Sequence, residues 1–300
     1  MMKTLLFFLA TFFFYSLTIQ NVKAQTIKNY EKDWKKVDDL LQKKGLPRSA
    51  LEEVKKIYAT AKKEGQEAQV IKALVYLINL QQETEEDGAV LGIKQVEKEI
   101  TIHNEPATSI LQSLLAGLYW QYLQNHRWLF YGRTQTKNFI KSDPATWTIE
   151  DFHQKISALY VQSISNETLL KKIGLAPYEA LIIKGNTRPL RPTLYDLLAH
   201  KALDYFKNDE RDIARPAYAF EIKDPAAFAP AEAFVAAKFS TKDSLSLKHK
   251  ALLLYQQLIR FHLKDEKPNA LLDVDIERLE YVKNNSVLPN KEELYQGALE

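Results

Sequence analysis

Ile110-Leu111-Gln112-Ser113-Leu114-Leu115-Ala116-Gly117-Leu118-Tyr119-Trp120-Gln121-Tyr122-Leu123 decides the class of this chain. Its apolar residues Ile110, Leu111, Leu114, Leu115, Leu118, Tyr119, Tyr122 and Leu123 fall at i, i+1, i+4 and i+5, the spacing of one broad buried helical face. Pro106 suits a first helical turn, and Asn104 or Glu105 is placed to cap it.

Working towards the N-terminus, the same periodicity predicts helices over residues 29–43, 49–64, 67–82 and 88–101. In the second of these, Leu51, Val54, Ile57, Tyr58 and Ala61 share one side. Ser49 and Glu52 read as a capping box, and Gly65 as a turn that folds residues 67–82 back on it. Residues 88–101 would pair with the Ile110 helix.

Before these helices stands a different segment. Lys3 is a positive n-region, residues 5–19 are an apolar h-region, and Val22-Lys23-Ala24 is a cleavage pattern, so residues 1–24 read as a signal peptide cut before Gln25. The apolar run is shorter than the roughly 20 residues of a spanning helix, which favours cleavage over a retained anchor. The expectation is an exported protein of the periplasm or cell surface of a Gram-negative bacterium, with no stable membrane insertion after cleavage. There is no cysteine, hence neither a disulfide nor an acylated N-terminal cysteine. Removing Lys3 and Lys23 leaves 39 basic against 38 acidic groups with the signs interspersed, which gives no electrostatic footprint for nucleic acid.

Beyond the Ile110 helix, residues 127–144 are aromatic with a Gly132-Arg133-Thr134 turn, and Thr148 and Asp151 open a helix with Phe152, Ile156, Leu159, Tyr160 and Ile164 inward. Residues 192–206 form another. Between Asp209 and Ser240 the periodicity fails: Pro216, Pro225 and Pro230 forbid a long helix, yet Phe220, Phe228, Phe234 and Phe239 are too apolar for a free linker. This stretch reads as a connection pinned to the helical surface by its phenylalanines. Helices then return over 247–264 and 270–283, with a last one opened by Asn290 and Glu293. The expected fold is all-α: tetratricopeptide-like antiparallel helical hairpins, solenoid-like, with an irregular Pro/Phe-rich connection and no fixed 34-residue period. The expected regions are the signal peptide 1–24, N-terminal hairpins 25–126, a helical region with irregular connections 127–240, and a C-terminal hairpin 241–300 that ends without a stop signal and reads as cut short.

Chemistry is sparse. Asp196, His200 and Asp204 are four residues apart and share a helix face, but no second histidine stands at i+3 or i+4, so the group reads as surface hydrogen bonding. His262 continues the Leu258, Ile259 and Leu263 stripe as a packing residue within a looser group of His249, Asp265 and Glu266. His103, His126 and His153 have no partner at useful spacing. Glu85, Glu86 and Asp87 read as solvated loop charge. Tyr119, Trp120, Tyr122, Trp128, Phe130 and Tyr131 make either a stacking platform or core, the core having the better claim because Tyr119 and Tyr122 already lie on the helical stripe. Arg127, Arg133, Arg188 and Arg191 would converge near them. No His-Glu-x-x-His, Gly-x-Ser-x-Gly or phosphate-binding glycine loop occurs. The expectation is a protein that is not an enzyme, has no catalytic, cofactor or metal site and needs no cofactor. An enzyme reading would require a cleft where His200 meets Arg188 or Arg191 and a second acid.

Three strings carry a family resemblance: residues 116–134, residues 191–206, and residues 220–235 with their Phe228-Ala229-Pro230 core. They resemble the N-terminal helical region of bacterial alpha-2-macroglobulin-like proteins of the Bacteroidetes type, over essentially the whole chain after the signal peptide. The resemblance implies a following array of macroglobulin β-sandwich domains that traps proteases cleaving a bait segment. Some members of that family carry a cysteine–glutamine thioester. This chain lacks the cysteine, the β-sandwich run and an identifiable bait, so no functional residue carries over. The implied partner is a protein: a protease, an envelope protein, or the chain's own downstream macroglobulin domains. The alternative is a free-standing tetratricopeptide-like module that binds an envelope protein in a concave groove.

Overall fold

The structure, a computed structural model, describes residues 29–131, 142–183, 185–209 and 217–300. The signal peptide, the Gly132-Arg133-Thr134 turn and residues 210–216 of the Pro/Phe-rich connection lie outside them. The described residues are helical, with no strand and two isolated β-bridges, Gly174 with Thr193 and Ile222 with Ser286.

The order is α1 (Glu31–Asp38), widening into a π-helical turn at Asp39–Lys43, then α2 (Pro47–Glu64), α3 (Glu67–Thr84), α4 (Gly88–Ile102) and α5 (Ala107–Asn125). After α6 (Arg127–Phe130) come α7 (Ile149–Ser163), α8 (Glu167–Leu170) and α9 (Leu194–Phe206). The connection contains a 3-10 turn at Pro225–Phe228 and α10 (Ala231–Ala236), and α11 (Leu247–His262), α12 (Asn269–Asn285) and α13 (Lys291–Leu299) end the chain.

Packing follows chain order: α2 on α3, α3 on α4, α4 on α5, α5 on α7, α7 on α9, α9 on α11, and α11 on α12. Such a line forces the middle helices to bury two faces. On α3, Val70, Ala73, Leu77 and Leu80 join Trp34, Val54 and Ile57 in one core, while Ile71, Leu74 and Ile78 enter the core that runs from α4 to α13. The wall between the two cores is a single helix. At the α2–α3 turn, Gly65 takes a left-handed φ of 64° and the Gln66 N–H reaches back to the Ala61 carbonyl at 2.9 Å, a reversal that glycine reaches without strain.

Some local expectations change. Ser49 is no cap: α2 starts at Pro47, whose fixed φ opens a helix and whose missing N–H is no loss in the first turn. Asn104 gives α5 only its backbone carbonyl, to the Thr108 N–H, whereas the Glu105 carboxylate accepts from the Ser109 N–H and hydroxyl. Asn290 precedes α13 without a side-chain cap bond. Thr148 and Asp151 do form a capping box.

The connection after α9 is held as its phenylalanines suggest, and by more. Phe228 and Phe234 are buried and Phe220 and Phe239 partly so. Its carbonyls are taken by side chains of α11 and α12. The Gln256 amide donates to Phe234 and Ala237, Arg260 to Val235, and Arg278 to Ala227 at 2.7 Å. Arg278 is 1% exposed, pairs with Asp275, and lies 4.5 Å over the Phe234 ring. A polar group that brings hydrogen bonds to irregular backbone removes the cost of burying it.

Three substitutions test this packing. Arg278→Ala strands Asp275 and the Ala227 carbonyl, and should cost about 3–5 kcal/mol in denaturant unfolding. At Gly88 a Cβ would stand 2.3 Å from the Gln81 carbonyl oxygen, so Gly88→Ala should cost about 1–3 kcal/mol. In α5 the nearest atom to a Cβ on Gly117 is the Tyr160 hydroxyl at 3.9 Å, so Gly117→Ala should be neutral or gain up to ~1 kcal/mol in the same experiment.

Candidate functional site

One group of titratable side chains comes together where α9 meets α11 and α12; another, Tyr58, Lys62, Glu99 and His103, meets between α2 and the end of α4. Thr193 caps α9: its hydroxyl accepts from the Asp196 N–H, and Asp196 Oδ2 accepts from the Thr193 N–H at 2.9 Å and its hydroxyl at 2.8 Å. The box at Thr148 and Asp151 has the same bonds, but Asp151 keeps contact with solvent. Asp196 has none, because its second oxygen, Oδ1, lies 2.9 Å from His262 Nε2 on α11. The other ring nitrogen of His262, Nδ1, lies 2.7 Å from Asp265 Oδ2.

One turn along α9, His200 Nδ1 meets the Asp196 carbonyl at 2.8 Å. A carbonyl only accepts, so Nδ1 carries the proton and Nε2 is the basic atom. Nε2 is buried, has no hydrogen-bond partner among the described residues, and stands 3.6 Å from Glu277 Oε2. Glu277 Oε1 accepts from Lys207 and from the Tyr255 hydroxyl. Arg191 completes the group, with Nη2 3.9 Å from Glu277 and Nε 3.7 Å from Asp273. Burial and the Arg191 charge push the His200 pKa down. For Glu277 burial acts upward, but the hydrogen bond and charge of Lys207, with His200 and Arg191, hold its pKa below the ordinary value.

The surface reading of Asp196 and His200 is therefore corrected: they are 0% and 4% exposed, because α11 and α12 close over the face on which they sit. Asp204 stays outside, 3.7 Å from Lys207. His262 is more than a packing residue, since both its nitrogens meet carboxylates. Three histidines thought partnerless have partners: His103 meets Glu99, His126 the Tyr122 carbonyl, and His153 the Tyr205 hydroxyl. His249 does not join His262; it meets the Phe239 carbonyl and the Phe220 ring.

Of the four arginines, Arg127 lies 5.9 Å over the Tyr131 ring, whereas the two from the loop before α9 are elsewhere. Arg188 pairs with Glu179 at 2.7 Å, Arg191 sits at α12, and Arg133 is outside the described residues. Of the aromatic group, Tyr119 stacks on Trp147 at 5.1 Å, Tyr122 and Phe130 pack on Phe152, and Trp120 meets Tyr205 edge-on. Trp128 and Tyr131 are exposed. The encounter of His200, Arg191 and Glu277 brings together a basic nitrogen, a cation and a carboxylate, and among the described residues nothing hydrogen-bonds to Nε2. Among the described residues no group of three or more His, Asp or Glu side chains could hold a metal ion.

Two surface grooves lie elsewhere. One, of 290 Å³, runs between residues 218–224 and 238–242. The other, of 740 Å³, lies over α1 and α3, lined by Tyr30, Trp34, Asp38, Gln69 and Lys72 among others, with the Lys72 ammonium 4.4 Å over the Trp34 ring. Among the described residues no helix is long and apolar enough to cross a membrane. The fold and the site thus define an all-helical protein whose buried charges are concentrated at the seams between helices. No family model, no curated protein and no solved structure matches the chain.

The sign of the His200 effect is fixed by its depressed pKa. The folded state binds its proton less readily than the unfolded chain does, so this contribution is present above about pH 6.5 and is lost as pH falls from there through the folded value. Below about pH 6.5, where the contribution of a raised-pKa histidine would already be complete, the His200 contribution should lower the denaturant midpoint as pH falls towards about 5, and His200→Gln should lessen that fall.

Proposed function

We propose that the chain is a non-catalytic scaffold and interaction region of an exported alpha-2-macroglobulin-like protease inhibitor, with the trapping activity residing in macroglobulin domains beyond these helices. The observation that supports this reading is the use made of the charged side chains. Asp196, His262, Glu277, Lys207 and Arg278 join one helix to another or to the connection. Two of the three resembling strings supply the same kinds of seam: residues 191–206 hold Arg191, Asp196 and His200, and residues 220–235 hold the carbonyl of Ala227 that Arg278 takes. Residues spent in this way keep a helical stack rigid. A rigid front region, placed in the periplasm or at the cell surface, presents or spaces the domains attached to it.

A second reading has one observation in its favour. The 740 Å³ groove over α1 and α3 offers an aromatic face, an ammonium and a primary amide, which suits a tetratricopeptide-like module that holds a peptide of an envelope protein.

The reading frame beyond the codon for Glu300 tests the first proposal: it should continue into repeated β-sandwich domains, and a stop followed by an unrelated gene would sink it. The purified chain should leave protease activity unchanged. Crosslinking in envelope extract separates the second reading, which expects Lys72→Glu to remove a crosslinked partner that the unaltered chain captures, whereas the first expects the same pattern from both.

A further inference from the structure

The seam between α9 and α11 contains a proton whose position follows from hydrogen-bond chemistry. His262 is the last residue of α11 and 2% exposed. Its Nε2 meets Asp196 Oδ1 at 2.9 Å and its Nδ1 meets Asp265 Oδ2 at 2.7 Å. Carboxylate oxygens accept, and a neutral imidazole has one N–H only, so two such bonds require both nitrogens to be protonated. The ring is an imidazolium clasped between two carboxylates, at a helix C-terminus where positive charge is favoured.

Asp196 makes this clasp consequential. Its Oδ2 is used within the α9 cap by Thr193, so its Oδ1 depends on a group that arrives from another helix. Removing the His262 proton leaves one of the two carboxylates facing a bare lone pair and takes a cation away from a carboxylate with no contact with water. The neighbouring charges offer no obvious replacement. Just after α8, Lys171 is paired with Glu167 and lies over the Tyr195 and Phe261 rings. On α9 the next titratable group is His200, which faces Glu277. On α12, Asp273 and Glu277 are directed to Arg191, His200 and Lys207.

We propose that His262 is the proton-dependent fastening of a joint between α9 and the α11–α12 hairpin, and that proton loss loosens this hairpin from α9 while the rest of the stack stays packed. The apolar contacts of Leu252, Tyr255, Leu258 and Ile259 keep the hairpin attached, so the change is a loosening of the seam and not global unfolding. Burial opposes the charge on His262, but the hydrogen bonds and charges of Asp196 and Asp265 outweigh it and hold the pKa above the ordinary value. The fastening is therefore complete below about pH 6.5 and is lost as pH rises through the raised folded value. An exported protein meets the pH of its surroundings directly, and this seam would respond to it.

The test uses the full chain, labelled with nitrogen-15. The ring signals of the six histidines are followed from pH 6 to 10. Over the same range, hydrogen exchange of α11 and α12 is measured, with α2 and α3 as an internal reference for the intrinsic rise of exchange with pH. His262 should show two protonated nitrogens at pH 7 and titrate at higher pH than His200, and the excess exchange of α11 and α12 should begin at the same pH. Asp265→Asn removes one carboxylate and leaves Asp196 in place; it should move both transitions down together by about one pH unit or more. Glu266→Gln, a neighbouring charge change outside the clasp, should move neither by that amount. A neutral His262 at pH 7 would overturn the proposal. So would a titration of His262 with no accompanying exchange in α11 and α12, or an Asp265→Asn variant in which neither transition moves.

Discussion

The Asp196 carboxylate is withdrawn from solvent, and the C-terminal half of the molecule is arranged around the way its two oxygens are used. One oxygen starts α9 by taking the Thr193 N–H and hydroxyl; the other receives His262 from α11. The backbone carbonyl of the same residue fixes the tautomer of His200, which turns its basic nitrogen towards Glu277 on α12. A buried carboxylate is costly unless each oxygen finds a donor, so the positions of α11 and α12 over α9 are constrained by chemistry as well as by apolar contact. The equivalent carboxylate at the start of α7, Asp151, keeps contact with solvent.

A chain without cysteine has no covalent staples, and the line of helices from α2 to α12 is held by two-sided burial. The division of α3 between two cores illustrates how this works. Its inward and outward faces carry residues of similar size, so the N-terminal hairpins and the rest of the stack share one wall and cannot shift independently without opening both. At Gly88, which faces the backbone of Gln81 where α3 turns into α4, there is no room for a side chain. Where they cannot meet, in the stretch from Ala217 to Ser240, Gln256, Arg260 and Arg278 reach across to backbone carbonyls and act in place of secondary structure.

Sequence periodicity by itself determined the long helices, while the short α6, α8 and α10, too brief to show a period, were not read from it. The stripe of Ile110 to Leu123, the capping pair at Thr148 and Asp151, the turn at Gly65 and the failure of periodicity after Asp209 are local properties, and local hydrogen bonding and apolar spacing settle them. The capping-box pattern of Ser49 and Glu52 misplaces the start of α2 by two residues, past Pro47, whose fixed φ begins the helix. The prolines and phenylalanines of the connection also indicated an irregular yet packed segment, as its described residues 217–240 are.

What only the tertiary structure decided is the fate of the charges. The sequence shows Asp196 and His200 one turn apart, but burial is a property of what lies opposite, and α11 and α12 are contributed from more than fifty residues away. His262 looked like packing because its stripe is apolar; its two carboxylates lie three residues on and 66 residues back, and that second distance has no periodic signature. Arg278 gave no signal at all, since an arginine on a polar-looking helix is ordinarily solvated until an irregular carbonyl and a phenylalanine are brought over it. Helices are encoded by neighbours in sequence, whereas the protonation and pairing of a buried side chain are fixed by neighbours in space.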